Sequence, residues 1–260
     1  RVLRSIQYVS QNGLVTTENY SYSYGYNTGI YLSDGTVVWN LSAENDLGIP
    51  TSMTTGSISR EYGFSPYGAP TWRRMAGGNL QNLSFNFQVS TGNLLSRSSG
   101  GSNPAETFGY DSLNRLTSIE NRQVSYADNG NILSISGVGS LEYGNESRPY
   151  QVTSLIPEAG SQIPERQRII SYTSFDRPAL ITEGNRSAVF TYNGYGDRVK
   201  MAVSDSTGQT LTRYYIGERY EIDHTPYGTI ERLYLGGDAY SAPMVYRRDT
   251  GGPWTAYNIG

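Results

Sequence analysis

Residues 108–119 read Phe-Gly-Tyr-Asp-Ser-Leu-Asn-Arg-Leu-Thr-Ser-Ile, and this stretch decides the fold. Phe108 and Tyr110 are two residues apart, so in a strand both rings point to the same face. Residues 111–114 are mostly polar, and Asp and Asn favour turns because their side chains bond nearby backbone amides. A return strand opens at Arg115 and Leu116. The stretch therefore predicts a β-hairpin with a loop of about four residues.

The same pattern recurs along the chain. Each copy has an anchor pair, two mostly aromatic or aliphatic residues two positions apart: Tyr62/Phe64, Phe85/Phe87, Phe108/Tyr110, Val124/Tyr126, Leu141/Tyr143, Ile170/Tyr172 and Phe190/Tyr192. Five residues after the second anchor we expect the return strand to open, at Ala69, Arg115, Asn131, Arg148 and Arg177; in two copies we expect a loop one residue longer, ending at Asn93 and Arg198. From Phe87 onward the copies lie roughly 16 to 29 residues apart, as in a hairpin-sized repeat.

Recurrence at a fixed place in each hairpin predicts a structural role for the repeat residues. An arginine there can stack on a neighbouring tyrosine or bond a turn carbonyl. A site for a sugar or an acidic partner would not need one arginine per hairpin. The residues assigned this role are Phe108, Tyr110, Asp111, Arg115, Tyr126, Tyr143, Arg148, Tyr172, Arg177, Tyr192 and Arg198.

The motif Tyr-Asp-x-x-x-Arg-Leu at residues 110–116 resembles the tyrosine–aspartate (YD) repeat of the Rhs family. Residues 190–201 and 215–217 resemble the late repeats of bacterial Rhs cores, and residues 39–62 resemble another core segment. The resemblance covers nearly the whole chain, although Tyr110 alone among the anchors is followed directly by Asp. It implies a large hollow β-shell, which in bacterial members encloses a C-terminal toxin polypeptide, in a secreted or cell-surface protein.

Pattern and resemblance together predict an all-β fold. Consecutive antiparallel hairpins would form a curved sheet, part of a spiral or barrel-like shell, with residues 1–260 as one domain and residues 157–168 as a long loop. No segment has helical periodicity. The 23 Tyr against 6 Phe favour a sheet with neither face fully covered, because tyrosine suits half-wet surfaces. Asn12-Gly13 and Asp34-Gly35 predict two-residue hairpin turns.

Composition excludes several function classes. A net charge of −3 and a pI near 5.3 do not favour nucleic acid, which needs a basic face. The absence of cysteine excludes disulfides, cysteine-ligated zinc and thiol catalysis. With one histidine and no calcium-loop spacing, we expect no metal or cofactor site. No apolar run approaches the length of a membrane span.

We also expect no enzymatic activity. His224 is the single histidine, and no nucleophile-elbow motif accompanies it. It is interpreted as a loop-edge residue before Pro226. Acidic residues such as Asp34, Asp111 and Asp128 occupy predicted turns, where turn chemistry explains them, so no catalytic carboxylate pair can be nominated.

The favoured function is a scaffold whose partners are the remaining repeats of the same parent chain and an enclosed polypeptide. Unpaired edges of such a strip would favour an edge-mediated dimer. The alternative is a cell-surface carbohydrate-binding or adhesion module. The four tyrosines of residues 20–26 would lie on one face of a single strand, and Trp39, Trp72 and Trp254 could stack on a surface glycan. Aromatic rings packed between strands would indicate the scaffold, whereas rings along an open groove would indicate the binder.

Overall fold

The structure is a computed structural model that describes residues 2–10, 13–100, 105–163 and 167–259. Within these ranges every regular element is a β-strand, apart from one 3-10 turn at Ala76–Gly78. The chain divides into two compact units, one formed by Arg1–Ser59 with Arg166–Gly260 and the other by Arg60–Glu165. The assignment of residues 1–260 to one domain stays a prediction.

The first unit contains the N-terminal strands and the C-terminal strands of the chain. The N-terminal strands are β1 (Ser5–Ser10), β2 (Gly13–Ser23), β3 (Tyr26–Leu32), β4 (Val37–Glu44) and β5 (Pro50–Thr55). The C-terminal strands are β16 (Arg168–Tyr172), β17 (Pro178–Glu183), β18 (Arg186–Tyr192), β19 (Arg198–Asp205), β20 (Gly208–Ile216), β21 (Tyr220–Thr225), β22 (Gly228–Leu235), β23 (Met244–Asp249) and β24 (Thr255–Asn258). In each set, every strand pairs antiparallel with the next one in sequence.

The second unit continues the same arrangement. Its strands are β6 (Ile58–Phe64, from residue 60 onward), β7 (Pro70–Met75), β8 (Gln81–Phe87), β9 (Leu94–Ser99), β10 (Glu106–Tyr110), β11 (Leu116–Ile119), β12 (Arg122–Tyr126), β13 (Ile132–Ile135), β14 (Gly139–Glu142) and β15 (Ser154–Pro157). Each strand from β6 to β14 again pairs antiparallel with its successor. The predicted all-β fold of consecutive antiparallel hairpins is therefore confirmed.

The hydrophobic core lies in the first unit and joins segments that are far apart in sequence. Ile30, Leu32 and Val38 from β3 and β4 pack with Leu233, Leu235 and Met244 from β22 and β23. All six are at most 5% exposed. Full burial of such a side chain contributes about 1.5 to 3 kcal/mol, so this cluster is the main apolar contribution to holding the first unit together.

The second unit buries few of its described residues. Among its described residues only Met75, Asn131 and Gly139 are buried, and most strand residues are half-buried or exposed. Such half-covered faces suit tyrosine, whose ring packs while its hydroxyl stays near water. This is the environment that the tyrosine-rich composition predicts.

The four tyrosines of residues 20–26 do not share one strand, so the prediction that they lie on one face of a single strand is wrong. The chain reverses at Tyr24 and Gly25, and Ser23 pairs with Tyr26 across the turn. Both turn residues have positive φ, 49° and 88°, as a type I′ hairpin requires. Tyr24 is 99% exposed at the tip. The sequence gives little warning, because tyrosine is unusual at such a position.

The hairpin predicted at Asp34-Gly35 is present, but its loop has three residues rather than two. The Leu32 N–H donates to the Thr36 carbonyl at 2.9 Å, and Gly35 takes the left-handed conformation at φ 87°. A type I turn followed by a left-handed residue is a common three-residue hairpin. The companion signal at Asn12-Gly13 includes Asn12, which lies outside the described residues.

Two segments of the chain, residues 157–168 and 98–104, are predicted from sequence to be loops. The break at 157–168 is bounded by Pro157, the last residue of β15, and Arg168, the first of β16; residues 164–166 lie outside the described part of the chain. The Gly-Ser cluster of residues 98–102, followed by Asn103-Pro104, also predicts a loop, but Ser98 and Ser99 belong to β9. Residues 101–104 again lie outside the described ranges.

Candidate functional site

The repeated unit is a hairpin closed by a side-chain-capped turn, and residues 111–115 show its geometry. The Asp111 N–H donates to the Arg115 carbonyl, and the Asn114 N–H to the Asp111 carbonyl, both at 3.0 Å. Asp111 Oδ1 accepts the N–H groups of Leu113 and Arg115, both at 2.9 Å. Asn114 is left-handed, with φ 59°. The Arg115 N–H is the main cause that holds the pKa of Asp111 below 3.8.

The same capped turn closes other hairpins, with different first residues. In each, the side-chain oxygen of the first residue accepts the N–H of the residue four positions later at 2.9 to 3.2 Å; these turns are Asn45–Ile49, Ser65–Ala69, Thr173–Arg177 and Asn193–Asp197. Asn, Ser and Thr replace Asp because any short side chain with an oxygen acceptor can make this bond. This explains why the Asp of the Tyr-Asp motif is not repeated along the chain.

Repeat tyrosines fasten each hairpin to the one before it. Tyr110, Tyr126, Tyr143 and Tyr192 are half-buried, and each hydroxyl donates to a backbone carbonyl at 2.8 to 3.0 Å. The acceptors are Leu94, Leu116, Ile132 and Pro178, each the first residue of the preceding hairpin's return strand. Phenylalanine cannot make this bond, which gives a physical reason for tyrosine at these positions. We call this contact the tyrosine joint.

Arg115 connects the capped turn to the tyrosine joint. Its Nε donates to Asp111 Oδ2 at 2.7 Å, and its guanidinium carbon lies 4.6 Å from the centroid of the Tyr126 ring. Arg198 lies 4.7 Å from the Phe190 ring centroid. Contacts of this kind stabilise exposed sites by about 0.5 to 1 kcal/mol. Tyr126 and Phe190 both belong to the repeat, and Arg198 also lies 5.8 Å from the Tyr215 ring centroid.

Two expected landing residues are placed differently. Arg148 does not open a return strand, because β15 begins only at Ser154. The Arg148 N–H donates to the Asn145 carbonyl, and the Arg148 carbonyl accepts the Gln151 N–H, both at 2.9 Å. Two consecutive turns therefore follow Tyr143. Pro149 has no N–H and cannot donate to a strand ladder at that position.

The loop after Tyr192 is not one residue longer, so that prediction is also wrong. Tyr192 pairs with Arg198, six residues on, as Tyr110 pairs with Leu116. The structural equivalent of Arg115 is therefore Asp197, whose carbonyl accepts the Asn193 N–H at 2.9 Å.

Three further repeat residues complete the set. Phe108 is half-buried in β10 and pairs with Ile119. Tyr172 is half-buried at the end of β16, where the register shifts as it does before Tyr110. Arg177 is exposed, and its backbone N–H donates to Thr173 Oγ1. The structure therefore brings Asp111, Arg115 and Tyr126 into one cluster and distributes the other repeat residues over separate hairpins.

The three tryptophans pack against neighbouring strands. Trp39 Nε1 donates to Met53 Sδ at 3.4 Å. The Trp72 ring covers Gly63, where an added Cβ would lie 2.0 Å from Trp72 Nε1. The Trp254 ring lies 4.8 Å from the Arg248 guanidinium. This packing is the arrangement expected of a scaffold.

A buried carboxylate in the first unit was missed by sequence reasoning. Glu18 is 0% exposed and accepts hydrogen bonds from Tyr20 Oη at 2.6 Å, Gly236 N at 2.7 Å and Arg219 Nη1 at 3.2 Å. Arg219 Nη1 also donates to Tyr8 Oη at 2.9 Å. Burial is the largest cause that raises the pKa of Tyr8 to about 12, followed by the Glu18 charge. We call these residues the Glu18 clamp.

A second set of ion pairs crosses β20, β21 and β22. Asp223 accepts hydrogen bonds from Arg213 at 2.6 and 2.8 Å and from Arg232 at 2.7 Å. Burial favours a higher pKa for Asp223, but the bonds from both arginines outweigh it and keep the pKa below 3.8. Glu221 accepts the Tyr234 hydroxyl at 3.0 Å. Burial, and then the Glu221 charge, raise the pKa of Tyr234 to about 12.

A cleft of about 600 Å³ lies in the first unit between β1–β2 and β20–β24. Val15, Ile222, Leu233 and Trp254 provide apolar wall, and Arg219 lies among the lining residues. We refer to it as the β1–β21 cleft.

His224 and the ion pair Glu231–Arg248 also line the β1–β21 cleft. His224 is exposed, and its Nδ1 lies 3.2 Å from Thr229 Oγ1. Glu231 is bound by Arg248 at 2.6 and 2.7 Å and accepts the Tyr220 hydroxyl. The carboxylate is thus fully engaged.

The described residues contain no group of three or more His, Cys, Asp and Glu side chains arranged to hold a metal ion. No helix in the described part of the chain is both long and apolar enough to cross a membrane.

Comparison with known proteins gives one type of relationship, a shared fold. No family model matches the chain, and no curated protein matches its sequence. Among solved structures, the crystal structure of TcdB2-TccC3-Cdc42 is similar, with a TM-score of 0.69 and 14% sequence identity. The match covers 95% of this chain but 16% of that chain, so this chain spans a small part of its structural neighbour. At this identity the likeness shows a shared all-β fold alone.

Proposed function

We propose that this chain is a structural segment of an Rhs/YD-repeat β-shell that encloses or presents a C-terminal polypeptide, such as a toxin, in a secreted or surface protein of a bacterium. The observation that carries the proposal is the tyrosine joint. It recurs at Tyr110, Tyr126 and Tyr143 in the second unit and at Tyr192 in the first, and each joint ties a hairpin to the one before it. A wall is a structural function that needs no catalytic residue.

The repeat residues support this role because they bind one another. Asp111 and Arg115 form an ion pair at 2.7 Å, and the guanidinium of Arg115 covers the Tyr126 ring. The fold match covers 95% of this chain but 16% of the neighbour's chain, which supports a segment of a larger protein. The partners we propose are the further repeats of the parent chain and the enclosed polypeptide.

We further propose that the chain has no catalytic role. Two ion pairs occur at the β1–β21 cleft, Glu231 with Arg248 and Arg219 with Glu18. The carbohydrate-binding alternative gains no support from Trp39 and Trp72, which pack against neighbouring strands. Trp254 packs against Arg248 and also lines the β1–β21 cleft.

Protease protection tests the shell. The natural protein that contains residues 1–260 would be digested as purified, and as a Tyr110→Phe/Tyr126→Phe variant that lacks two tyrosine joints. We expect an enclosed polypeptide to resist digestion in the first case and to be cleaved faster in the variant. A Tyr195→Phe control changes a 95% exposed tyrosine and should leave protection unchanged. Equal cleavage of all three proteins would refute the shell.

A glycan array distinguishes the alternative. The scaffold predicts no glycan bound above background by the purified chain. Saturable binding of one glycan, lost on Trp254→Ala with the fold intact, would instead establish a binding module.

A further inference from the structure

We propose that the β1–β21 cleft binds an apolar chain that ends in a carboxylate, with the carboxylate at Arg219. The proposal does not depend on the shell, because the cleft lies within the first unit. Its volume of about 600 Å³ falls within the range of about 300 to 1,000 Å³ that is usual for ligand pockets.

The apolar part of the site is the strip beside β21. Ile222 lies at the centre of this strand, and Val15, Leu233 and Trp254 line the same cleft. From Arg219 to His224 the strand advances five residues, which is about 17 Å at the usual rise per residue. The lining therefore combines apolar side chains with Arg219 and His224, which are five residues apart in sequence.

The charges of the lining favour an anion. The charged residues that line the cleft are Arg219, Arg248 and Glu231. Arg248 and Glu231 neutralise each other in a close pair with two contacts at 2.6 and 2.7 Å. Arg219 has no ion-pair partner among the lining residues, because its partner Glu18 is fully buried and does not line the cleft.

Glu18 balances Arg219 only in part. Their contact is a single hydrogen bond at 3.2 Å from Nη1, and Glu18 also accepts shorter bonds from Tyr20 and Gly236. The Arg219 side chain is 36% exposed, and its Nε and Nη2 carry three further N–H donors. A carboxylate suits these donors, since guanidinium and carboxylate form parallel charge-assisted hydrogen bonds.

Matched amphiphiles test the charge preference. We would titrate the purified chain with decanoate, decyltrimethylammonium and acetate by calorimetry. We expect saturable binding of decanoate, at least tenfold weaker binding of the cation, and no binding of acetate, which lacks the apolar chain. Equal affinity for decanoate and the cation would overturn the proposal.

Paired substitutions at one lining position locate the site. Ile222→Glu and Ile222→Lys place side chains of opposite charge in the cleft. We expect Ile222→Glu to weaken decanoate binding at least tenfold and Ile222→Lys to weaken it less. The control Ile169→Glu makes the same change at an isoleucine that is 61% exposed on β16, and should leave affinity within about twofold of the parent. Unchanged affinity in Ile222→Glu would place binding elsewhere.

His224 provides a readout that needs no variant. It is the single histidine of the chain and lines the cleft, so its ring protons give one resolved reporter in proton NMR. Decanoate should shift that signal with the same concentration dependence as the calorimetric titration, even if the Ile222 variants fail to fold. A signal that stays fixed while decanoate binds would refute the assignment.

Discussion

At the scale of single residues, the chain depends on short side chains that cap turns. Asp111, Asn45, Ser65, Thr173 and Asn193 all use one oxygen to satisfy the N–H four residues later. The recurring property is therefore an acceptor at a fixed backbone position. It is not a charge.

The chemistry of the cap gives a first prediction. Asp111→Asn keeps an oxygen acceptor in the same place, whereas Asp111→Ala removes it and leaves two N–H groups without their acceptor. We expect Asp111→Ala to lower the melting temperature clearly, and Asp111→Asn to lower it less. Differential scanning calorimetry of both variants measures the difference. If the two variants melt together, the ion pair with Arg115 and not the cap is the important contact.

A second prediction concerns acid stability. The pKa values of Asp111 and Asp223 lie below their ordinary value of 3.8, so both carboxylates favour the folded state when ionised. Their contribution is present above pH 3.8 and is lost as the pH falls through their folded pKa values. We expect the urea midpoint to be level between pH 5 and 7 and to fall steeply below about pH 4.

Asp223→Asn tests the origin of this acid dependence. The variant should be less stable at pH 7, because Arg213 and Arg232 lose their shared carboxylate, and its midpoint should fall less between pH 5 and pH 3. The control Asp46→Asn changes an exposed turn residue. An unchanged acid slope in Asp223→Asn would show that other carboxylates set it.

At the scale of the hairpin, the sequence predicts positions better than loop details. Six of the seven anchor pairs end a strand, as in β10 and β12, because spacing by two and a following turn are both local properties. The return strand predicted to open at Arg148 is wrong, because Pro149 has no N–H to donate to a strand ladder there. The turn at Tyr24 was missed because an alternating tyrosine pattern continued through it.

The tyrosine joint gives the prediction at this scale. Tyr126→Phe removes the hydroxyl that donates to the Leu116 carbonyl at 2.8 Å and keeps the ring under Arg115. We expect a loss of about 0.5 to 1.5 kcal/mol in the free energy of unfolding. Tyr110→Ala also removes a half-buried ring, and should cost about 2 to 4 kcal/mol.

Urea denaturation of these variants measures both losses. Tyr195→Phe is the matched control, since this tyrosine is 95% exposed at a turn tip and should change stability by less than about 0.5 kcal/mol. If Tyr126→Phe lowers the free energy of unfolding no more than the control does, the tyrosine joint does not contribute to stability.

At the scale of the whole molecule, the first unit is closed by contacts that no local pattern reveals. Glu18 and Gly236 are far apart in sequence, yet the Gly236 N–H donates to Glu18 at 2.7 Å. Repeat spacing predicts which strand pairs with its neighbour. It carries no information on which distant strands share the core of Leu32 and Leu235.

The Glu18 clamp provides a prediction for the first unit. Glu18→Gln removes the negative charge of a carboxylate that accepts hydrogen bonds from Arg219, Tyr20 and Gly236. Breaking a buried ion pair typically costs about 3 to 5 kcal/mol, and because Arg219 is 36% exposed we expect the lower part of that range or less. Hydrogen exchange should show faster opening of β22, with β12 and β13 of the second unit unchanged. Equal acceleration in both units would mean that the clamp does not act on the first unit alone.

The last prediction concerns strand edges. Among the described strands β24 pairs only with β23, and all four of its residues are exposed. A strand with unpaired N–H and C=O groups recruits another strand, and lysine on the edge opposes this. We therefore expect the isolated chain to form a concentration-dependent dimer in sedimentation, and Ala256→Lys in β24 to weaken it at least tenfold. Thr191→Lys, an exposed change in the interior strand β18, should leave the dimer intact. Because edge pairing is made by backbone groups, the dimer should also persist at 0.5 M salt, where attraction between surface charges is largely screened. A chain that stays monomeric at every concentration would count against pairing through β24. Equal weakening of the dimer by Ala256→Lys and Thr191→Lys would do the same.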